Sequence, residues 1–274
     1  MKVGIIGVGL IGGSLARALR QRGVELFLDD ADASTRDQLR AMSLGTVEAW
    51  PQWIHKMDAV VLSIPILEVP AIIHQIVPKM ASTAWLVDVS SMKRPVQEAL
   101  LWAGERVQVM PVHLMAGREL AGLGASDADL FKGCVFAVID VGMGVPDLET
   151  VGWWRDQLDT LPVGFWTIDE HDAAIAWVSQ LPFIVSRALR MVIDREFPEA
   201  RRLAGPGFRD TTRVGLSSLE ALWPFIEANR AELAQAVEAI EEELSHWRAV
   251  LRNPQPPRQA PVAQRATRKL GHRK

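Results

Sequence analysis

The chain has 274 residues, 49% of them apolar and 23% charged, with 30 Lys plus Arg against 33 Asp plus Glu. That balance belongs to a globular protein and excludes general disorder, and a net charge of −3 argues against a nucleic-acid or membrane-surface binder. Cys134 is the single cysteine and has no partner for an internal disulfide, which fits a reducing compartment. A strand-like run starts at Lys2, and no apolar run reaches the roughly 20 residues of a membrane span. A cytoplasmic protein without a signal peptide is expected.

Short runs rich in β-branched or apolar residues lie at 3–6, 26–28, 59–64, 84–87, 107–112 and 134–139. They alternate with helix-like stretches at 12–21, 34–42, 69–78, 94–102 and 147–158. Strands alternating with helices predict βαβ units and a parallel, Rossmann-type sheet in an α/β domain. The first strand runs into Gly7-Val8-Gly9-Leu10-Ile11-Gly12 and then into helix. In that context the glycines have specific uses: Gly7 for a tight turn, Gly9 for close approach to a pyrophosphate, Gly12 for helix–strand packing. The helix start at Leu10 and Ile11 supplies N–H groups and partial positive charge to the phosphates.

The second strand ends at Asp29-Asp30, and Asp29 follows Gly7 by 22 residues. A carboxylate there accepts from ribose hydroxyls, and a 2′-phosphate meets two negative charges, so NAD is expected over NADP. Ser63 and Pro65 end the third strand at the ligand edge, where cofactor contact and a plain turn are equally consistent with the sequence. A last strand-like piece at 163–168 closes the sheet domain, taken as 1–168. Asp169-Glu170-His171-Asp172 is helix-start chemistry, and His171 is read as part of that start. The following 173–193 is apolar nearly all round with Pro182 inside, so it must be buried on most faces. A second long helix is predicted over 219–251, with Ile226, Leu233, Val237, Ile240 and Leu244 on one stripe. This all-helical part, 169–252, is too thin to hide its apolar surface and is expected to form a homodimer. The last stretch, 253–274, has four prolines, six Lys/Arg and no acid, and reads as a disordered basic tail.

Several segments together resemble the prephenate and arogenate dehydrogenases of tyrosine biosynthesis, in order over roughly residues 1–250. The opening GVGLIGGSLARAL is one. Asp88-Val89-Ser90-Ser91-Met92-Lys93 is similar to D-x-x-S-x-K, and His113-Leu114-Met115-Ala116-Gly117-Arg118-Glu119 to H-P-M-x-G-x-E. His171-Asp172 and Ser179-Gln180-Leu181-Pro182-Phe183 resemble H-D followed by S-H-L-P-H. Gly207-Phe208-Arg209-Asp210-Thr211-Thr212-Arg213 is similar to G-F-R-D-x-T-R and is the most specific match.

The resemblance implies NAD-dependent oxidative decarboxylation of a cyclohexadienyl ring. It gives His113 the ring hydroxyl as catalytic base and places Ser91 near nicotinamide and hydroxyl. It gives Arg213 the ring carboxylate, with Glu119 in the same network or at the entrance. No metal is expected. Leu114 replaces a proline, and Gln180 and Phe183 replace two histidines, so no histidine role passes to them. Gln180 can still hydrogen-bond substrate; Phe183 can only pack. Prephenate is preferred as substrate on family frequency, with arogenate and a turnover-deficient NAD-binding regulator as alternatives. A β-hydroxy-acid dehydrogenase, which uses a lysine-centred site, fits Ser91, His113 and Arg213 less well. The absence of Tyr fits an enzyme translated when tyrosine is scarce.

Overall fold

The computed structural model describes residues 1–118, 120–161 and 164–253, so Glu119 and the tail from residue 254 lie outside the described residues. Its strands are β1 (Lys2–Ile6), β2 (Glu25–Asp29), β3 (Thr46–Val47), β4 (Ala59–Leu62), β5 (Trp85–Asp88), β6 (Gln108–Leu114), β7 (Phe136–Asp140) and β8 (Gly164–Thr167). They form one sheet in the order β3-β2-β1-β4-β5-β6-β7-β8. The chain reverses direction across the sheet between β1 and β4, the switch point at which such sheets bind ligands.

Helices α1 (Leu10–Gln21), α2 (Ala33–Met42), α3 (Val69–Ile76), α4 (Gln97–Gly104) and α5 (Leu148–Leu158) connect the strands. Side chains alternate along each strand, so the sheet feeds two cores. Val3, Ile5, Val61, Val87 and Val112 pack with Leu15 and Leu19 of α1 and Trp154 of α5. Ile6, Val60, Leu62 and Leu86 pack on the opposite side with Ile73 of α3 and Leu100 of α4.

The sheet departs from all-parallel pairing at β6–β7, which run antiparallel. Among the described residues between them the helical element is the short turn Leu123–Ala125, and without a crossover helix the chain returns in the opposite direction. His113 therefore lies within β6, opposite Ala137, rather than just after the strand.

Beyond the sheet come α6 (Ile168–Ile175), α7 (Leu181–Glu196), α8 (Pro206–Arg213), α9 (Leu219–Ala228) and α10 (Arg230–Arg252). A widened π turn, Ala176–Gln180, joins α6 to α7 and places Pro182 in the first turn of α7, where a missing N–H costs least. The single helix predicted over 219–251 is two: Asn229 breaks it with φ −120° and ψ 24°. Met1–Leu233 forms one compact unit and Ala234 opens a second, so the division falls inside α10. Every residue of the site described below belongs to the first unit. Among the described residues no helix is long and apolar enough to cross a membrane.

Candidate active site

The glycine loop comes first because β1 and α1 build it directly. Gly7 has φ +86°, and a Cβ there would lie 2.4 Å from the Ser63 carbonyl oxygen; a Cβ on Gly12 would lie 2.0 Å from the Gly7 carbonyl oxygen. Gly9 has nothing within 4 Å of its Cβ position. No side chain caps the start of α1 and no acid occupies its first turn, so its N–H groups and positive end suit an anion. A pyrophosphate fits this cradle.

Three cavities run along the ligand edge. The first, about 440 Å³, is lined by Gly7, Asp29, Asp30, Arg36, Trp50 and Ile64. Asp29 Oδ2 accepts from Trp50 N–H at 2.9 Å, whereas Asp30 Oδ2 accepts from Val8 N–H of the glycine loop at 2.6 Å. Arg36 folds its guanidinium onto the Asp30 and Ala31 carbonyl oxygens. The second cavity, about 410 Å³, shares Ile64 and adds Gly9, Leu10, Ile11, Ser63 and Ser91. Pro65 is exposed and does not line either. The third, about 440 Å³, shares Ser91, Arg118 and Phe225 with the second and is lined also by His113, Gln180 and Arg213. The three form a groove from the end of β2 to the helical segment.

Behind His113 stands a chain of hydrogen bonds. His113 Nδ1 lies 3.0 Å from His171 Nε2, and His171 Nδ1 lies 2.7 Å from Asp172 Oδ1. A carboxylate only accepts, so the bond to Asp172 assigns the proton to His171 Nδ1. With that single proton on the His171 ring, its Nε2 is an acceptor, His113 Nδ1–H donates to it, and His113 Nε2 holds the lone pair. Burial first, then His171 and the Lys93 ammonium, hold the His113 pKa well below 6.5. The imidazole is neutral at neutral pH and ready to take a proton.

Asp172 is fully buried and is held in turn. It accepts from Lys93 N–H at 3.2 Å and Arg94 N–H at 3.0 Å, and its own carbonyl accepts from Asn229 Nδ2 at 2.7 Å. Sequence reasoning treated His171 as a helix-start residue; it is 97% buried, with the structure placing it between His113 and Asp172. The H-D pair was the available signal, but the partner is 58 residues away.

The loop after β5 carries Ser91 to the groove, and a buried ion pair shapes it. Lys93 and Asp88 side chains are both 0% exposed, with Nζ 2.6 Å from Asp88 Oδ2. Lys93 Nζ also donates to the Ser90 and Val112 carbonyls, each at 2.8 Å, tying the loop to β6 immediately before His113. Ser90 Oγ donates to Asp88 Oδ2 at 2.8 Å. Lys93→Met leaves a buried carboxylate unpaired, and a stability loss of about 3–5 kcal/mol is expected in urea unfolding. The double variant Asp88→Asn/Lys93→Met should lose less; an equal or larger loss contradicts the pairing account.

Arg213 ends α8, where a cation meets the helix's negative end. The segment after it is clamped: Gly215 N–H donates to Ser186 Oγ of α7 at 2.8 Å, and a Cβ on Gly215 would lie 2.7 Å from Arg187 N. Gln180 reaches the cavity wall, but Oε1 accepts from Asn229 at 3.0 Å and Nε2 donates to the Phe225 carbonyl at 3.0 Å. It works as a strut between helices. Phe183 is buried and packs.

Two sequence models match the chain: "Prephenate dehydrogenase, nucleotide-binding domain" over residues 15–149 and "Prephenate dehydrogenase, dimerization domain" over residues 167–260. The chain is 26% identical to a prephenate dehydrogenase of Lactococcus lactis, over 89% of this chain and 69% of that protein. It is 26% identical to a cyclohexadienyl dehydrogenase of Zymomonas mobilis, over 84% of this chain and 80% of that one. A crystal structure of Synechocystis arogenate dehydrogenase matches with TM-score 0.74 and 27% identity, covering 93% of both chains. The fold also matches prephenate dehydrogenase from Aquifex aeolicus in complex with hydroxyphenyl propionate and NAD+, with TM-score 0.81 and 23% identity over 93% of this chain and 91% of that one.

Proposed function

The chain belongs to the prephenate dehydrogenase family, and from that premise we propose that it is the NAD-dependent enzyme that converts prephenate to 4-hydroxyphenylpyruvate in tyrosine biosynthesis. The observation that carries this reading is the Asp172–His171–His113 chain in the wall of a cavity that also holds Arg213 and opens onto the glycine cradle.

NAD accepts the hydride from C4 of the ring when bound along the groove. The Gly7–Gly12 loop and the start of α1 hold its pyrophosphate, Asp29 and Asp30 meet the adenosine ribose, and Ser63 borders the middle of the groove. His113 Nε2 takes the C4 hydroxyl proton as the hydride departs, and His171 and Asp172 stabilise the resulting imidazolium. Ser91, at the junction of the two cavities, hydrogen-bonds the same hydroxyl. Arg213 orients the ring carboxylate. That group leaves as carbon dioxide, its bonding electrons aromatise the ring, and the phenolate oxygen recovers a proton from His113. Glu119, outside the described residues, is proposed at the entrance on resemblance alone.

The same reading makes the protein a cytoplasmic homodimer joined through its helical half. Support comes from the dimerization-domain match and from exposed Trp177, Val178, Met191, Leu203, Leu216 and Trp223.

The test is NADH formation from NAD with prephenate or arogenate. Turnover of prephenate is expected; bound NAD without turnover of either substrate favours the regulator. Arg213→Ala should raise the KM for prephenate at least about 30-fold while NAD affinity is retained, the loss expected for a charge-assisted carboxylate contact. An unchanged KM removes Arg213 from the substrate site.

A further inference from the structure

The described lining of the third cavity is cationic. Among the described residues lining it, the charged or titratable side chains are His113, Arg118 and Arg213, with no carboxylate. Its other polar side chains, Ser91, Ser179, Gln180 and Ser217, are neutral. Gln180 is engaged by Asn229 and Phe225, and Phe183 is apolar.

Arg118 lies on the segment leaving β6 and lines both this cavity and the middle of the groove. Its Nη2 is anchored by Asp127, and its side chain remains 43% exposed. That anchor is itself fixed: Asp127 N–H donates to Ser14 Oγ of α1 at 3.0 Å, and Arg17 Nε of α1 donates to the neighbouring Ser126 Oγ at 2.7 Å. The guanidinium is thus held at the edge of the cavity by a partner tied to α1.

Prephenate and arogenate share the ring carboxylate and a side-chain carboxylate. They differ beside the latter, where prephenate has a neutral keto oxygen and arogenate an ammonium. Two guanidiniums match two carboxylates. An ammonium meets a like charge at Arg118, no described lining residue offers it a carboxylate, and Asp127, outside the lining, is committed to the guanidinium.

Resting on the reading above, we infer that Arg118 grips the side-chain carboxylate and selects the α-keto acid over the α-amino acid. It is a specificity-determining residue, and its guanidinium offers the planar fork that a carboxylate or an α-keto acid can share.

The test compares the full chain with Arg118→Gln and Arg118→Lys, measuring NADH formation from each substrate and NAD affinity by tryptophan quenching. Wild type should favour prephenate in kcat/KM by at least about tenfold. Arg118→Gln should lose at least about tenfold on prephenate, chiefly through KM, and change arogenate less than about threefold; Arg118→Lys should fall between. NAD affinity should stay within about twofold. A wild type that prefers arogenate, equal losses on both substrates, or a loss confined to NAD affinity overturns the inference. A wild type that turns over neither substrate defeats the underlying proposal instead, which separates the two failures.

Discussion

Replacing His113 by Asn is expected to lower kcat by about 10³-fold or more while NAD still binds, because the substitution removes the proposed general base and leaves the glycine cradle untouched. Asparagine keeps a hydrogen-bonding group near His171 but cannot take up a proton near neutral pH. The pH profile of the unmodified enzyme carries the same information. Its histidine is held well below 6.5 by burial, by His171 and by Lys93. A base with a lowered pKa is active above that pKa and is lost as pH falls through it. The acidic fall of kcat/KM should therefore lie below 6.5, with no loss on approaching that value from above. A kcat within tenfold of wild type in His113→Asn, or an acidic fall centred above 7, contradicts the assignment.

Asp172→Asn is expected to cost between about 10²- and 10⁴-fold in kcat, although Asp172 does not line the cavity. The argument follows the protons. Asp172 accepts from His171 Nδ1 and from the Lys93 and Arg94 backbone N–H groups. An amide at that position has one acceptor and one donor end. With its donor toward His171, that ring must carry its proton on Nε2, which faces His113 Nδ1. His113 is driven to the other tautomer and loses the lone pair on Nε2. With the donor turned the other way, it meets two backbone N–H groups, at a cost of about 1–3 kcal/mol of stability. KM for NAD should be unchanged. Full activity with intact stability in Asp172→Asn would show that the chain behind His113 has no catalytic part.

The sheet half was legible because its signals are local. Gly7, Gly9 and Gly12 sit in a strand-to-helix context that dictates their conformations, and apolar runs located the strands except β3, whose two residues Thr46–Val47 are too short to form a run. The antiparallel β6–β7 pair was also within reach, since no helix-like stretch was found between 112 and 134. His113 and Arg213 came from motif resemblance; nothing in their spacing brings residues 100 apart to one cavity. His171 does lie in the helix start that the sequence indicates, but its contact with His113 was missed, because a residue can satisfy helix-start chemistry and still project inward. Asn229 was hidden inside a continuous apolar stripe. Its break depends on side-chain bonds to the Asp172 carbonyl and Gln180, formed only after α6 and α9 meet. The burial of Lys93 was not legible in the sequence, because Asp88, Ser90 and Val112 converge on its ammonium only in the folded chain.

The tautomer of His113 is the point on which the mechanism turns, and nitrogen-15 NMR of histidine-labelled protein at neutral pH observes it directly, with His113→Asn identifying the signal. The expected spectrum has a protonated Nδ1 and a bare, pyridine-like Nε2 on His113, with the proton of His171 on Nδ1. A His113 that is protonated at Nε2, or doubly protonated at that pH, leaves no lone pair for the substrate hydroxyl and contradicts the proposed base.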